Sequence, residues 1–285
     1  MSERDGAAGR GWIIDVDGCL VRTVRTGGAG GVPIDGAAEF LDELERRGEP
    51  YIVCTNASEL TPGEYAQNLR ALGLPVRDEH FATAGSAMAD YLAAHHGTGP
   101  VLAVGSPGLR RTLRERGLEL VAPADWAQAA AVAVGAAPGY VSAEMSGAAL
   151  AVEDGAPLYT AVADPWFHGG HAKSAAISAV VAAGIGWAGG VTPTVLGKPS
   201  AALGQTLADA MAVAPTDVVV VGDARAEVDL ARAMGGRVCL VLSGATTAAQ
   251  AAATAEADPR VRVFPTIAEL HTDLVNDRAP SKSSR

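Results

Sequence analysis

The feature that most limits how this chain can fold is a series of short, unbroken apolar runs. Each stops abruptly at polar residues. "WIIDVD" at 12–17, "YIVCTN" at 51–56, "DVVVVGD" at 217–223 and "RVCLVLSG" at 237–244 are of this kind. A strand with one solvated face alternates apolar and polar residues. Runs that stay apolar throughout suit strands covered on both faces of a parallel sheet. Helical patterns separate them. "DGAAEFLDELERRG" at 35–48 has apolar residues at helical spacing, and Gly48 stands where a helix stops. "TPGEYAQNLRALG" at 61–73 opens with Thr61 as N-cap, Pro62 in the first turn and Glu64 completing a capping box. This alternation predicts an α/β fold, a doubly wound parallel-sheet core of Rossmann-like type.

At 285 residues the chain exceeds the usual size of one domain. Between about 98 and 192 the texture changes. "VLAVGS" and "AAVAVGAAP" read as strands, and "LRRTLRERG" and "HAKSAAISAVVAAG" read as helices, but no strand there ends in an acidic pair. The expected organisation is a core over 11–97, an inserted α/β unit over 98–192, the rest of the core over 193–272, and flexible tails at 1–10 and 276–285.

The strand ends carry the chemistry. The first run ends in Asp15-Val16-Asp17-Gly18, the second in Thr55-Asn56, the valine run in Gly222-Asp223. Open parallel sheets bind ligands at the carboxyl ends of their strands, so these clusters are expected to face one crevice. Asp15, Asp17 and Asp223 suit a hard cation such as Mg²⁺, because like charges held close are costly unless a cation pairs them. Thr55 and Asn56 offer a hydroxyl and an amide to phosphate-like oxygens. "VLGKPS" adds Lys198, a cation able to offset charge that builds up in a reaction.

These motifs, in order, resemble the haloacid dehalogenase-like hydrolases: DxDG at 15–18, Thr55-Asn56, Gly197-Lys198-Pro199 and Gly222-Asp223. The DxD form is similar to the phosphatases and phosphotransferases of that superfamily. The flanks "TNASELTPGEYAQNLRALG", "GKPSAAL" and "LVLSGATT" resemble its NagD-like, p-nitrophenyl phosphatase and pyridoxal phosphate phosphatase branch, which carries a large cap where the insertion lies. The resemblance implies a Mg²⁺-dependent phosphomonoester hydrolase working through an aspartyl phosphate. It makes Asp15 the nucleophile and Asp17 the general acid and base. It assigns phosphoryl oxygens to Gly18, Thr55, Asn56, Ala57 and Lys198. It assigns the metal to Asp15, Asp17 and Asp223, with Glu227 as a further acidic residue favoured over Asp229. In the cap, Asp164, Trp166 and His168 are placed toward the leaving group. The competing reading has Trp166 packing the cap and His168 on a surface loop. Cys19 reads as a small packing residue. The glycine-rich "RTVRTGGAGGVPIDG" reads as a mobile loop over the site mouth.

The expected partner is a small phosphorylated metabolite, and a homodimer stays open. A net charge of −10 disfavours nucleic acid and anionic membranes. Three cysteines without a CxxC pattern, and no signal-like or membrane-spanning segment, point to a cytoplasmic protein. Two other readings stay open: a protein that binds a phosphorylated ligand as a sensor, and a phosphotransferase with an acceptor other than water.

Overall fold

A computed structural model describes residues 10–277, apart from 24, 98 and 170–172. Strands β1 (Gly11–Ile14), β2 (Val21–Arg22), β3 (Val32–Pro33), β4 (Tyr51–Thr55) and β5 (Phe81–Thr83) come first. There follow β6 (Val101–Val104), β7 (Ala131–Val134), β8 (Leu158–Thr160), β9 (Trp166–His168), β10 (Lys173–Ala175) and β11 (Thr194–Val195). The chain closes with β12 (Val218–Gly222), β13 (Arg237–Val241) and β14 (Val261–Phe264).

Six strands form one sheet in the order β14-β13-β12-β1-β4-β5, every neighbour parallel. The chain builds outward from β1 on one side and later returns to build outward on the other. The switch point therefore lies at β1 and β12, whose Ile14 and Val221 are in register. Side chains alternate between two buried faces. Trp12, Ile14, Val219 and Val221 pack with Phe40, Leu41, Leu44, Leu270 and Leu274. Ile13, Val218 and Val220 pack with Leu203, Leu207, Leu230 and Met234 on the other. Helices on both sides are what make the continuous valine run affordable as a strand.

The second sheet has the order β11-β8-β7-β6 and is parallel throughout. It is covered by the helices Ala84–His96 and Pro107–Glu115 on one face and Ser142–Glu153 and Ile177–Gly189 on the other. The chain leaves the first sheet after Thr83 and rejoins it at Val218. It completes the second sheet with β11 before doing so, past the boundary read at 192. Two hydrogen bonds tie the units near the end of β4. Ser58 Oγ accepts from Ala136 N at 2.8 Å, and Ser106 Oγ donates to Glu59 O at 2.5 Å. Of "HAKSAAISAVVAAG", residues 171–172 lie outside the described residues, Lys173–Ala175 pair antiparallel with Trp166–His168 as a hairpin, and the helix begins at Ile177. Arg10 is ion-paired to Glu49 at 2.9 Å and the last helix runs to Asn276. Of the expected tails, residues 1–9 and 278–285 lie outside the described residues. Among the described residues no helix is long and apolar enough to cross a membrane.

Candidate active site

Asp15 follows β1, Thr55 ends β4 and Asp223 follows β12, so three adjacent strands deliver their last polar residues to one edge of the sheet. Asp15, Asp17, Thr55, Lys198, Asp223 and Glu227 are all buried there. Lys198 is the hub. Its ammonium donates to Asp15 Oδ1, to Cys54 O at 3.0 Å, and pairs with Glu227 Oε1 at 2.9 Å. An ammonium has three protons, and each finds an acceptor.

Four buried carboxylates thus face one buried ammonium. The titration of the cluster reflects this excess. Burial, with the charges of Glu227 and Asp17, pushes the Asp15 carboxyl up to about 7, against the opposing pull of Lys198. Burial, Asp15 and Glu227 push Asp223 well above the usual carboxylate range. Burial draws Lys198 down, but Asp15 and Glu227 outweigh it and its pKa ends well above the ordinary lysine value. A cation at Asp15 and Asp223 would relieve all of this.

The residues fit Mg²⁺ in its usual manner. Among the described residues no three His, Cys, Asp or Glu side chains form a closed metal cage. Mg²⁺ does not need one; it takes one or two carboxylates and fills its octahedron with carbonyl, water and substrate oxygens. Asp223 is aimed for such a role. Its Oδ2 accepts from Ala245 N at 2.6 Å. A Cβ on Gly18, whose φ is +86°, would lie 2.5 Å from that same oxygen, so only glycine fits.

Several site residues do work the sequence did not disclose. Thr55 Oγ1 donates to Asp17 Oδ2 at 3.1 Å and accepts from Ala57 N at 3.1 Å. Asn56 holds the Lys198 peptide from both sides, accepting from its N–H at 2.7 Å and donating to its carbonyl at 3.1 Å. Both side chains, read from the sequence as phosphoryl ligands, are here engaged in holding Asp17 and Lys198. Glu227 turns to Lys198 through one oxygen and caps its own helix at Ala224 N through the other, at 3.2 Å. Asp229 lies on the helix surface beside Arg225 and Arg232. Ser243 Oγ donates to Gly18 O at 2.7 Å, so "LSGA" after β13 cradles both Gly18 and Asp223. Cys19 is wholly buried, and burial first, with nearby carboxylates, raises its thiol well above the usual range, as a packing residue requires.

Within the glycine-rich segment, Gly27 and Gly28 are buried and donate their N–H groups to Asp17, at 2.9 Å to Oδ2 and 2.8 Å to Oδ1. Burial raises the Asp17 carboxyl above its ordinary value, opposed by these donors and by Thr55. In the hairpin, Asp164 Oδ1 accepts from Trp166 N at 2.9 Å and shapes the turn into β9. The Trp166 ring is 55% exposed and carries Lys173 Nζ at 3.9 Å from its centroid, so it does not pack into a core. His168 is half-buried and in register with Lys173.

A doubly wound sheet with buried carboxylates at its switch point places the candidate site where open α/β sheets bind ligands. Two family models match: haloacid dehalogenase-like hydrolase over residues 12–119 and HAD-hydrolase-like over 195–270. The acid sugar phosphatase of Staphylococcus haemolyticus strain JCSC1435 is 30% identical over 217 residues, covering 75% of this chain and 77% of that relative. The p-nitrophenyl phosphatase of Archaeoglobus fulgidus superposes with a TM-score of 0.81 at 26% identity, covering 93% of this chain and 99% of the other. NagD from E. coli K-12 gives 0.77 at 26% identity, with 92% and 98% covered. The chain belongs to the haloacid dehalogenase-like hydrolases.

Proposed function

We propose that this protein is a Mg²⁺-dependent phosphomonoester hydrolase acting on a small phosphorylated metabolite, with Asp15 as the nucleophile. The observation that carries the reading is the seat of Asp15: a buried carboxylate on a fully engaged Lys198, beside Asp223, with Asp17 held two residues on by three donors. An Asp15 oxygen attacks phosphorus and the ester P–O bond breaks, leaving an aspartyl phosphate. Asp17 gives its proton to the departing oxygen. It then takes a proton from water, which attacks phosphorus and breaks the bond to Asp15, releasing phosphate. Lys198 offsets the charge that accumulates on the phosphoryl group. The Asp15 and Asp223 carboxylates and the Asp17 carbonyl would hold Mg²⁺, which would supply charge neutralisation and alignment. Glu227 is left out of that set, since both its oxygens are engaged.

The second sheet with its hairpin is a cap that selects the ester. The exposed Trp166–Lys173 pair and His168 suit a leaving group with a flat or hydroxyl-rich face, and the acid sugar phosphatase relative favours a sugar phosphate. Net charge argues against nucleic acid, and three buried unpaired cysteines suit a reducing cytoplasm. The test is phosphate release from sugar phosphates, nucleoside monophosphates and p-nitrophenyl phosphate with Mg²⁺, wild type beside Asp15→Asn. Release by the wild type alone is expected. Turnover by Asp15→Asn at the wild-type rate would overturn the nucleophile assignment. Silence from folded wild type across the panel would favour a phosphate-ligand sensor.

A further inference from the structure

Asp17 is not held by the strand that presents it. Its carboxylate is gripped from a separate piece of chain, the turn Arg25–Ala29, through the N–H groups of Gly27 and Gly28. Both glycines have positive φ, and a Cβ on Gly27 would fall 2.2 Å from the Tyr65 ring. The turn is fixed from within by Thr23, which is buried. The single proton of the Thr23 hydroxyl has Arg25 O at 2.9 Å and Ala29 O at 3.2 Å within reach as acceptors, and the hydroxyl oxygen accepts from Arg25 N at 3.0 Å. Thr23 is in turn bound to the other unit. Its N–H donates to Gly169 O at 2.8 Å, and Gly169 directly follows the β9 strand of the hairpin. The fit there is close: a Cβ on Gly169 would lie 2.4 Å from Thr23 O and 2.9 Å from Thr23 Cγ2.

We propose that Thr23 and Gly169 are positioning residues for Asp17: the docked hairpin sets Thr23, Thr23 sets the Arg25–Ala29 turn, and the turn sets the acid–base carboxylate. The chain of contacts is backbone to backbone at Gly169, hydroxyl to backbone within the turn, and backbone to carboxylate at Asp17, so a displacement of the hairpin reaches Asp17 without a flexible side chain to absorb it. The unit that selects the ester thereby also readies the proton donor. This rests on the reading of Asp17 as the acid–base group of a phosphatase.

Thr23→Val removes the hydroxyl and keeps the shape. Gly169→Ala pushes the hairpin off Thr23. Thr23→Ser keeps the hydroxyl. A misplaced Asp17 harms an ester whose leaving group needs a proton far more than one whose leaving group departs as a stable anion. Thr23→Val and Gly169→Ala are expected to lose about 100-fold in kcat/KM on an alkyl phosphate, the scale of a 1 Å misplacement. On p-nitrophenyl phosphate their kcat/KM is expected to change little, while kcat falls and a burst of p-nitrophenol precedes steady turnover, because water activation on the aspartyl phosphate slows. Thr23→Ser should match the wild type. Equal losses on both esters would assign Thr23 and Gly169 a merely structural role and overturn the proposal. A second readout needs no activity: amide hydrogen exchange at Gly27 and Gly28, in full-length protein. Gly169→Ala should accelerate both, and unchanged exchange would overturn the coupling even if wild type hydrolyses neither ester, a result that by itself sinks only the phosphatase reading.

Discussion

Without a divalent cation the protein should become less stable as pH rises from 5 to 8, and Mg²⁺ should cancel the loss. The argument starts at Asp15. Its carboxyl is pushed from the ordinary 3.8 to about 7 in the folded protein, burial being the largest cause. The folded state therefore holds a proton between about pH 4 and pH 7 that the unfolded chain has released. Stability falls with pH wherever the native state binds more protons. The fall begins at the unfolded value and is complete above the folded one. At about 1.4 kcal/mol per pH unit, the part lying between pH 5 and pH 7 is worth about 3 kcal/mol. Asp223, raised by burial, Asp15 and Glu227, adds a loss of the same sign. Carboxylates held low do not confuse the window. Glu43, drawn down to about 2 by Arg46 and Arg47, is ionised in both states throughout. About 3 kcal/mol corresponds to about 6 °C in Tm for a chain of this size. The assay is thermal unfolding by circular dichroism at pH 5 and pH 8, with chelator or with saturating Mg²⁺, for wild type and Asp15→Asn. The chelated wild type should melt about 6 °C lower at pH 8, Mg²⁺ should close the gap, and Asp15→Asn should narrow it without metal. A chelated protein equally stable at both values, or more stable at pH 8, would refute the account of a site with surplus negative charge.

Two further perturbations follow from the same geometry. Lys198→Met strands the Cys54 carbonyl and leaves four carboxylates with no cation. It should abolish turnover and cost about 3–5 kcal/mol at pH 8, with a smaller cost at pH 5, as read by urea unfolding. Gly244→Ala would place a Cβ 1.7 Å from Asp223 Oδ2, so Asp223 must swing off Ala245 N; Mg²⁺ affinity by calorimetry should fall at least about tenfold, and an unchanged affinity would remove Asp223 from the metal set.

The regular parts of this protein are legible in the sequence because they obey local rules. The capping box at Thr61 and Glu64 forms as read, with Thr61 N donating to Glu64 Oε2 at 2.8 Å. Gly48 closes its helix in the left-handed conformation. The apolar runs became adjacent parallel strands, and their polar ends met. What stayed hidden was set by contacts distant in sequence. Nothing in "TNAS" says that Asn56 will clasp a peptide 142 residues away. Nothing in "RTGGAGG" says that its amides will turn inward onto Asp17, because a glycine-rich segment has no side chains to show a pattern. The edge strand β11 leaves no mark in the sequence for a related reason: two residues paired to a distant strand carry no periodicity.

The two halves of the site differ in how they are bound to the second unit, and this bears on what that unit controls. Lys198 lies three residues beyond β11, whose neighbour β8 belongs to the second sheet. Leu196 N donates to Thr160 O at 2.9 Å, and a Cβ on Gly197 would come within 2.2 Å of Ala161 O. Lys198 is thus fixed to the second sheet through its backbone, while Asp15 is fixed to the first. Asp17 meets the second unit by a different route, through Gly27, Gly28, Thr23 and Gly169. Any shift of the second unit must therefore strain both flanks of Asp15 together, the Lys198 ammonium on one side and the Asp17 carboxylate on the other. Among the described residues, the loop hydrogen bonds of Asp223 are to Ala245 and Thr246 of the first unit. The two carboxylates proposed to hold the metal, Asp15 and Asp223, follow strands of the six-stranded core, whereas Lys198 and the Asp17 carboxylate, proposed to offset charge and move protons, are tied to the second unit. Divalent-cation binding should consequently survive changes in the hairpin that disturb the chemistry.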